Sequence, residues 1–270
     1  GGSPIDAAKT ISYRLSELNG SRFLTHIAIP TTLSAAECTD LGGTTMEDGI
    51  KKAVRHPELA PSYILYDPEF ALHTPINLFM STGVRSIDHA VELQYNPAAT
   101  WMPCRALALQ SIAAFFDLLP KYQRDPKNKE IILKLFLAAY CSLGFLAKQM
   151  KGSIGLSHTL GYSLGSPYGI PHGITSCLTL GHVVKLKARF SEEDADAVAG
   201  ILPYVGGSRS GDNIADSEKV GDRILALVKE LGLQTTLTDR GVKRDQIDVI
   251  CERALGGWMP GEQKDAKKDE

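Results

Sequence analysis

The spacing of apolar residues changes partway along the chain. Up to about residue 72 they come in short runs broken by turn residues. Leu24–Ile29 (LTHIAI) reads as a short buried strand ending at Pro30, and Tyr63–Tyr66 reads as a second strand, closed by Asp67-Pro68. Cys38–Thr45 and Ile50–Val54 read as a hairpin around Met46-Glu47-Asp48-Gly49, with Asp-Gly as its turn signal. Ahead of these, Gly1-Gly2-Ser3 opens a helix, with Ser3 suited to the N-cap and Pro4 to the first helical position. From Pro75 the period becomes three and four: Leu78, Phe79, Val84, Ile87, Ala90, Val91, Tyr95. The remainder reads as helices parted by Pro and Gly, roughly 76–95, 100–119, 127–150, 156–164, 173–188, 191–204, 214–231 and 243–253. The expected fold class is therefore α/β plus all-α. The expected division is an α/β unit over residues 1–72 and an all-helical unit over 73–270, with a ligand cleft between them.

Composition narrows the class. With 43% hydrophobic and 22% charged residues the chain matches an ordinary globular protein. A net charge of −2 argues against nucleic acid and anionic membranes as partners. The five cysteines (38, 104, 141, 177 and 251) are dispersed with no CxxC pair, which points to reduced thiols and a cytoplasmic location. No signal peptide is read at the start. The apolar run 131–147 is short for a membrane span and is interrupted by Lys134, so a buried core helix is expected there. The acid- and lysine-rich tail GEQKDAKKDE reads as solvated.

The candidate chemistry is histidine chemistry. His158 is placed on a short helix and His172 at the entry of the next, and GSPYGIPHG between them reads as a turn. His89 lies in the helical run STGVRSIDHAVE. Three histidines from three helices make a catalytic or metal centre, and the plainer alternative for each is an ordinary histidine near a helix end. Thr31, Thr32 and Ser34 follow the first strand, where open α/β sheets bind ligands; a simple Thr/Ser turn is the alternative. Glycines opening a helix let backbone N–H groups approach a phosphate, although Gly-Gly-Ser also serves as a linker.

Five motifs carry a resemblance: GGSPIDAAK (1–9), PTTLSAAECT (30–39), SYILYDPEFALHTP (62–75), GVRSIDHAVE (83–92) and GLSHTLG…GIPHGITS (155–176). Their order resembles the iron-containing (group III) alcohol dehydrogenases. TTLSAAE, KKAVRHPELAP and YDPEFALHTP bring the chain closest to the maleylacetate reductase branch. The resemblance implies a partial Rossmann-like dinucleotide-binding unit followed by an all-helical catalytic unit, with NAD or NADP as cofactor. It assigns Gly1, Gly2 and Ser3 to the pyrophosphate loop, Asp6 to the nicotinamide side, and Thr31, Thr32, Ser34 and Lys51 to cofactor contacts. In that family a β-rich segment precedes this GGS. Residue 1 here is Gly, not Met, and whether the chain is a fragment or lacks that segment stays open.

The resemblance breaks at the metal site. Family members carry an aspartate four residues before the first of three histidines. His89, His158 and His172 match the histidines, and Arg85 stands at the aspartate position. Positions 85 and 89 share a helix face, so a permanent positive charge points where a cation would sit. Asp88 should project about 100° away and not substitute for the missing aspartate. No metal is therefore expected. Tyr162 occupies a position where the family often has a relay histidine, and packing of its ring is the alternative role. The expected activity is reduction of a keto acid or related carbonyl, with Arg85, His89, His158, Tyr162 and His172 as catalytic candidates. The alternative is a non-redox enzyme (isomerase, lyase or cyclase) or a binding protein on a truncated dehydrogenase scaffold. The expected partner is a small-molecule substrate, with no nucleic acid and no membrane, and a homo-oligomer stays open.

Overall fold

The structure, a computed structural model, describes residues 1–20, 22–45, 51–143, 145 and 154–256, with backbone alone described at 44, 45 and 51–53. Its first part is sparse in strands. Helix α1 (Gly2–Leu18) is followed by β1 (Ile27–Ala28), β2 (Leu41–Thr45), β3 (Lys51–Arg55) and β4 (Tyr63–Ile64). β1 pairs in parallel with β4, and β2 pairs antiparallel with β3. The hairpin is present in the expected place, with its tip at 46–50 outside the described residues. Its first strand starts at Leu41, because Ala36–Cys38 turns as a 3-10 helix.

Three expectations for this part need correction. Gly1, not Ser3, caps α1, so Ser3 and Pro4 both lie inside its first turn. Proline is tolerated there because the N–H groups of the first turn have no intrahelical partner. The strand expected at 24–29 shrinks to two residues, as does that at 63–66. Ala28 is buried, but Leu24, Ile27, Ile29, Tyr63 and Leu65 are all exposed. The run Leu24–Ile29 is expected to be buried, but two strands paired with each other bury little of their faces.

Helices make up the rest. A four-residue helix α2 (Pro68–Ala71), capped by Asp67, leads to α3 (Ile76–Tyr95). Every residue of α3 from Phe79 to Gln94 is buried. Around it pack α4 (Ala106–Arg124), α5 (Lys129–Leu143), α6 (Leu156–Tyr168), α7 (His172–Lys187) and α8 (Glu192–Ala199), with α9 (Asn213–Glu230) and α10 (Ile247–Ala254) outside them. The core gathers Phe79, Val84, Ile87, Ile112, Phe115 and Phe136. Trp101–Arg124 is apolar and long enough to cross a membrane, yet Ala108, Ile112, Phe115 and Leu119 face this core. On α5, Leu133 and Leu137 are exposed, so the expected core helix buries one side only.

Helix ends also moved. The helix expected at 100–119 begins with a π turn over Trp101–Arg105 and then continues through Pro120. The helix expected at 127–150 runs from Lys129 to Leu143, and 144 and 146–150 lie outside the described residues. α6 continues through Pro167 into the stretch read as a turn, and stops where Gly169 takes a left-handed conformation at φ 65°. The helix expected at 191–204 divides into α8 and a 3-10 turn, Leu202–Val205.

A buried lysine ties the first part together. Lys9 on α1 donates to Ala36 O (2.6 Å), Thr39 Oγ1 (2.9 Å) and Leu41 O (3.0 Å). On the other side of the same segment, Thr82 Oγ1 accepts from Leu33 N (3.0 Å) and Ser86 Oγ donates to Leu33 O. Residues 33–41 are thus held between α1 and α3. Burial lowers the Lys9 pKa to about 8, against attraction from Asp6 and Glu37. Unfolded, it titrates near 10.4. Between those values the unfolded chain binds more protons, so stability should rise with pH from about 8 to about 10. Urea denaturation at several pH values should show this rise in the wild type and a flatter profile in Lys9→Met.

Candidate active site

α3, α6 and α7 carry the candidate side chains to one place. A cleft of about 720 Å³ is lined by Arg85, His89, His158, Tyr162 and His172. Gly1, Gly2, Ser3, Asp6, Thr32 and Ser34 line the same cleft. Thr31 sits just behind, its Oγ1 accepting from the Gly1 nitrogen at 3.1 Å. The Lys51 side chain lies outside the described residues. Thr39 and Arg55 also line the cleft, and the sequence offered no signal for either.

The glycines sit directly over the hydroxyls. Thr32 Oγ1 and Ser34 Oγ lie 2.9 Å apart. A Cβ on Gly2 would fall 2.9 Å from Ser34 Oγ, and one on Gly1 would fall 3.2 Å from Thr32 Cγ2. Side chains at positions 1 and 2 would crowd this corner. Backbone N–H groups at the start of α1, next to two hydroxyls, suit an anionic oxygen.

Below lies a buried charge network that sequence reasoning only half saw. Arg85 is 2% exposed; its Nη1 donates to Ser176 Oγ (3.1 Å) and to Asp88 Oδ2 (3.4 Å). Asp88 Oδ2 also accepts from Ser176 Oγ (2.5 Å) and Ser157 Oγ (2.8 Å). His158 Nδ1 lies 2.6 Å from Glu92 Oε2 and 3.5 Å from Asp88 Oδ1. Ser157 N donates to Glu92 Oε1 at 2.7 Å. Asp88, expected to project about 100° from His89 and not to stand in for the missing aspartate, pairs with Arg85 and lies near His158. The 100° step turns Asp88 from His89 but toward α6 and α7, which close over that side of α3. Arg85 Nε, His89 Nδ1 and His158 Nε2 are buried with no hydrogen-bond partner among the described residues.

Electrostatics separate the histidines. Burial, the neighbouring His158 and Arg85 all push the pKa of His89 well below its usual value, so His89 is neutral. Burial and Arg85 also push His158 down, but Asp88 and Glu92 outweigh them and raise it. Asp88 is held below the usual carboxylate range: burial opposes ionisation, and His158, Arg85 and Ser176 overcome it. The His89 and His158 rings lie 4.8 Å apart, close enough that two positive charges would repel strongly. Tyr162 stacks on His172 at 5.4 Å, and both are more exposed than the pair below.

Spacing and charge bear on whether a metal ion suits these residues. Among the described residues, the group whose ligand atoms all fall within 4.8 Å of one another is Asp88, Glu92 and His158, not the three histidines. A tetrahedral ion with bonds near 2.1 Å keeps its ligand atoms about 3.4 Å apart. His158 Nδ1 and Glu92 Oε2 are 2.6 Å apart, a gap that fits a proton. The acidic pair already meets Arg85 and His158. At the histidine trio, the neighbouring Arg85 opposes a cation.

Residues 79–269 match a family described as Fe-containing alcohol dehydrogenase family, C-terminal, and residues 1–68 match one described as iron-containing alcohol dehydrogenase. A maleylacetate reductase of Rhizobium sp. (strain MTP-10005) is 28% identical over 268 residues, spanning 96% of this chain and 67% of its own length. The crystal structure of maleylacetate reductase from Rhizobium sp. strain MTP-10005 superposes with a TM-score of 0.78 at 23% identity, over 98% of this chain and 69% of that one. A 1,3-propanediol oxidoreductase gives a TM-score of 0.81 at 25% identity, over 95% and 69%. The chain thus spans about two thirds of the length of its relatives.

The neutrality of His89 has a measurable consequence. Its unfolded pKa is near 6.5 and its folded value lies well below. Below pH ~6.5 the unfolded chain binds the extra proton, so wild-type stability should fall by up to about 1.4 kcal/mol per pH unit from this group alone. His89→Phe should flatten the acid limb between pH 6.5 and 5.5 in denaturant titrations. An unchanged slope would show that His89 is already charged in the folded protein.

Proposed function

The chain belongs to the iron-containing alcohol dehydrogenase family, and on that premise we propose that it is a nicotinamide-dependent oxidoreductase that reduces a keto acid or related carbonyl without a resident metal. One observation carries this reading. A single cleft holds both an anion-suited corner at the start of α1 and the Arg85–His158 pair. Residues 1–72 would form part of the dinucleotide-binding unit, and 73–270 the catalytic unit. Gly1, Gly2, Ser3, Asp6, Thr31, Thr32, Ser34 and Lys51 would hold NAD or NADP. When bound, that cofactor supplies the hydride that carbonyl reduction requires.

The chain's own residues then have two tasks. The first is to bind oxygen. The Arg85 guanidinium borders the cleft with its Nε unpartnered, and a planar fork of N–H donors suits a carboxylate or a polarised carbonyl. The second is to deliver a proton. As the carbonyl carbon gains hydride, its π electrons move to oxygen, which takes the proton from His158 Nε2. Asp88 and Glu92 raise the pKa of His158, while burial, His158 and Arg85 push that of His89 well below its usual value, which separates two candidates that the sequence treated alike. Tyr162 and His172 form the more exposed wall of the cleft. The Rhizobium relative is a maleylacetate reductase, and a keto acid of that kind would give Arg85 a carboxylate to grip.

Two experiments test the proposal. NADH binding to this chain, followed by calorimetry, should saturate. No binding at millimolar cofactor would return the site to a non-redox isomerase, lyase, cyclase or binding role on the same scaffold. In an active preparation, Arg85→Lys keeps the charge and loses the fork, so KM for the keto acid should rise roughly 10- to 100-fold, as expected for a lost charge-assisted hydrogen bond. Elemental analysis of chelator-free protein addresses the metal. Less than stoichiometric iron or zinc is expected in the wild type, with metal gained in Arg85→Asp. One equivalent in the wild type that disappears in His158→Ala would sink the metal-free reading.

A further inference from the structure

The two buried acids of α3 have separate duties. Asp88 is occupied by Arg85, Ser157 and Ser176, all on its Oδ2. Glu92, one helical turn further on, reaches across to α6 with both oxygens. Oε1 accepts the backbone N–H of Ser157 (2.7 Å), and Oε2 faces His158 Nδ1 (2.6 Å). The chain makes room for this approach. A Cβ on Gly155, the residue before α6, would fall 2.4 Å from Glu92 Cδ and 2.5 Å from its Oε1. No side chain other than hydrogen fits at that position while Glu92 stays where it is. The second nitrogen of His158, Nε2, is buried without a partner, and the residue borders the cleft.

An imidazole has two tautomers and can flip by about half a turn about its χ2 bond, so burial alone does not fix which nitrogen meets a substrate. A carboxylate at Nδ1 removes that freedom. It holds Nδ1 as the hydrogen-bonded nitrogen and leaves Nε2 directed elsewhere. Asp88 Oδ1, at 3.5 Å, is too distant to do the same. Resting on the reading of His158 as the proton donor, we propose that Glu92 is its positioning residue. Glu92 fixes the ring and its tautomer, so that Nε2 alone is presented to the substrate oxygen. The same carboxylate caps the N-terminus of α6, so the ring and the helix that carries it are located by one group on α3.

Two measurements on the full chain test this, the first without substrate. Proton NMR with isotope-labelled histidine should show one imidazole N–H resonance, downfield of the amides and slow to exchange, that is absent in His158→Ala. In Glu92→Gln that resonance should move upfield, because an amide replaces the carboxylate acceptor. Steady-state kinetics should show kcat of Glu92→Gln reduced roughly 100-fold, with KM for cofactor little changed. A purely structural cap would lower stability in Glu92→Gln without moving the resonance or separating kcat from KM, and that result overturns the proposal. A wild-type spectrum with no such His158 resonance overturns it as well, even if Glu92→Gln does not fold. A wild type that shows the resonance but turns over no carbonyl substrate overturns the reductase reading and leaves the Glu92–His158 pairing supported.

Discussion

A guanidinium on a helix buried from Phe79 to Gln94 constrains everything around it. Arg85 sits on α3 with almost no contact with water. A charge in that position is tolerable only with an opposite charge and hydrogen bonds nearby. Asp88 supplies the charge, and Ser176 from α7 supplies an acceptor. Removing one partner of such a pair commonly costs about 3–5 kcal/mol, so α3 and α7 cannot shift independently of it. Asp88 is in turn held by Ser157 from α6. Three helices are therefore registered against one another by a single polar cluster, and that register sets the positions of His89, His158 and His172.

The cluster is balanced locally. Arg85 pairs with Asp88, and His158 with Glu92. Low dielectric makes each pair strong and makes an additional positive charge expensive. The lowered pKa of His89 follows from the same arrangement, because it is buried against Arg85 and His158 and its Nδ1 has no hydrogen-bond partner among the described residues. The site is thus asymmetric in charge although its histidines come from similar helical settings.

The other half of the cleft depends on a second buried cation. Lys9 holds residues 36–41 by neutral oxygens, while Thr82 and Ser86 fasten Leu33 to α3. The segment carrying Thr32 and Ser34 is thereby anchored to both the first helix and the central one. The start of α1 and the histidine cluster share a cleft because of these bonds, not because they are near in sequence.

Periodicity alone placed the long helices. The three-and-four spacing from Pro75 located α3 to its ends, and α9 to within a residue, because an apolar stripe must face a core. Proline and glycine were weaker guides. Pro167 lies within a helix, and only the left-handed Gly169 ends it. Short apolar runs misled in the first part, where Leu24 and Ile29 are exposed. The sequence also determined which residue types were available for chemistry: three histidines, Arg85 in place of an acid, and glycines ahead of a helix. It could not assign Asp88 or Glu92, since each looks like an ordinary helical acid until α6 and α7 close over α3. Which nitrogen of His158 meets a carboxylate, and which histidine carries charge, depends on distances between segments about 65 residues apart in the chain. Local pattern fixes the faces of a helix; only packing decides what those faces meet.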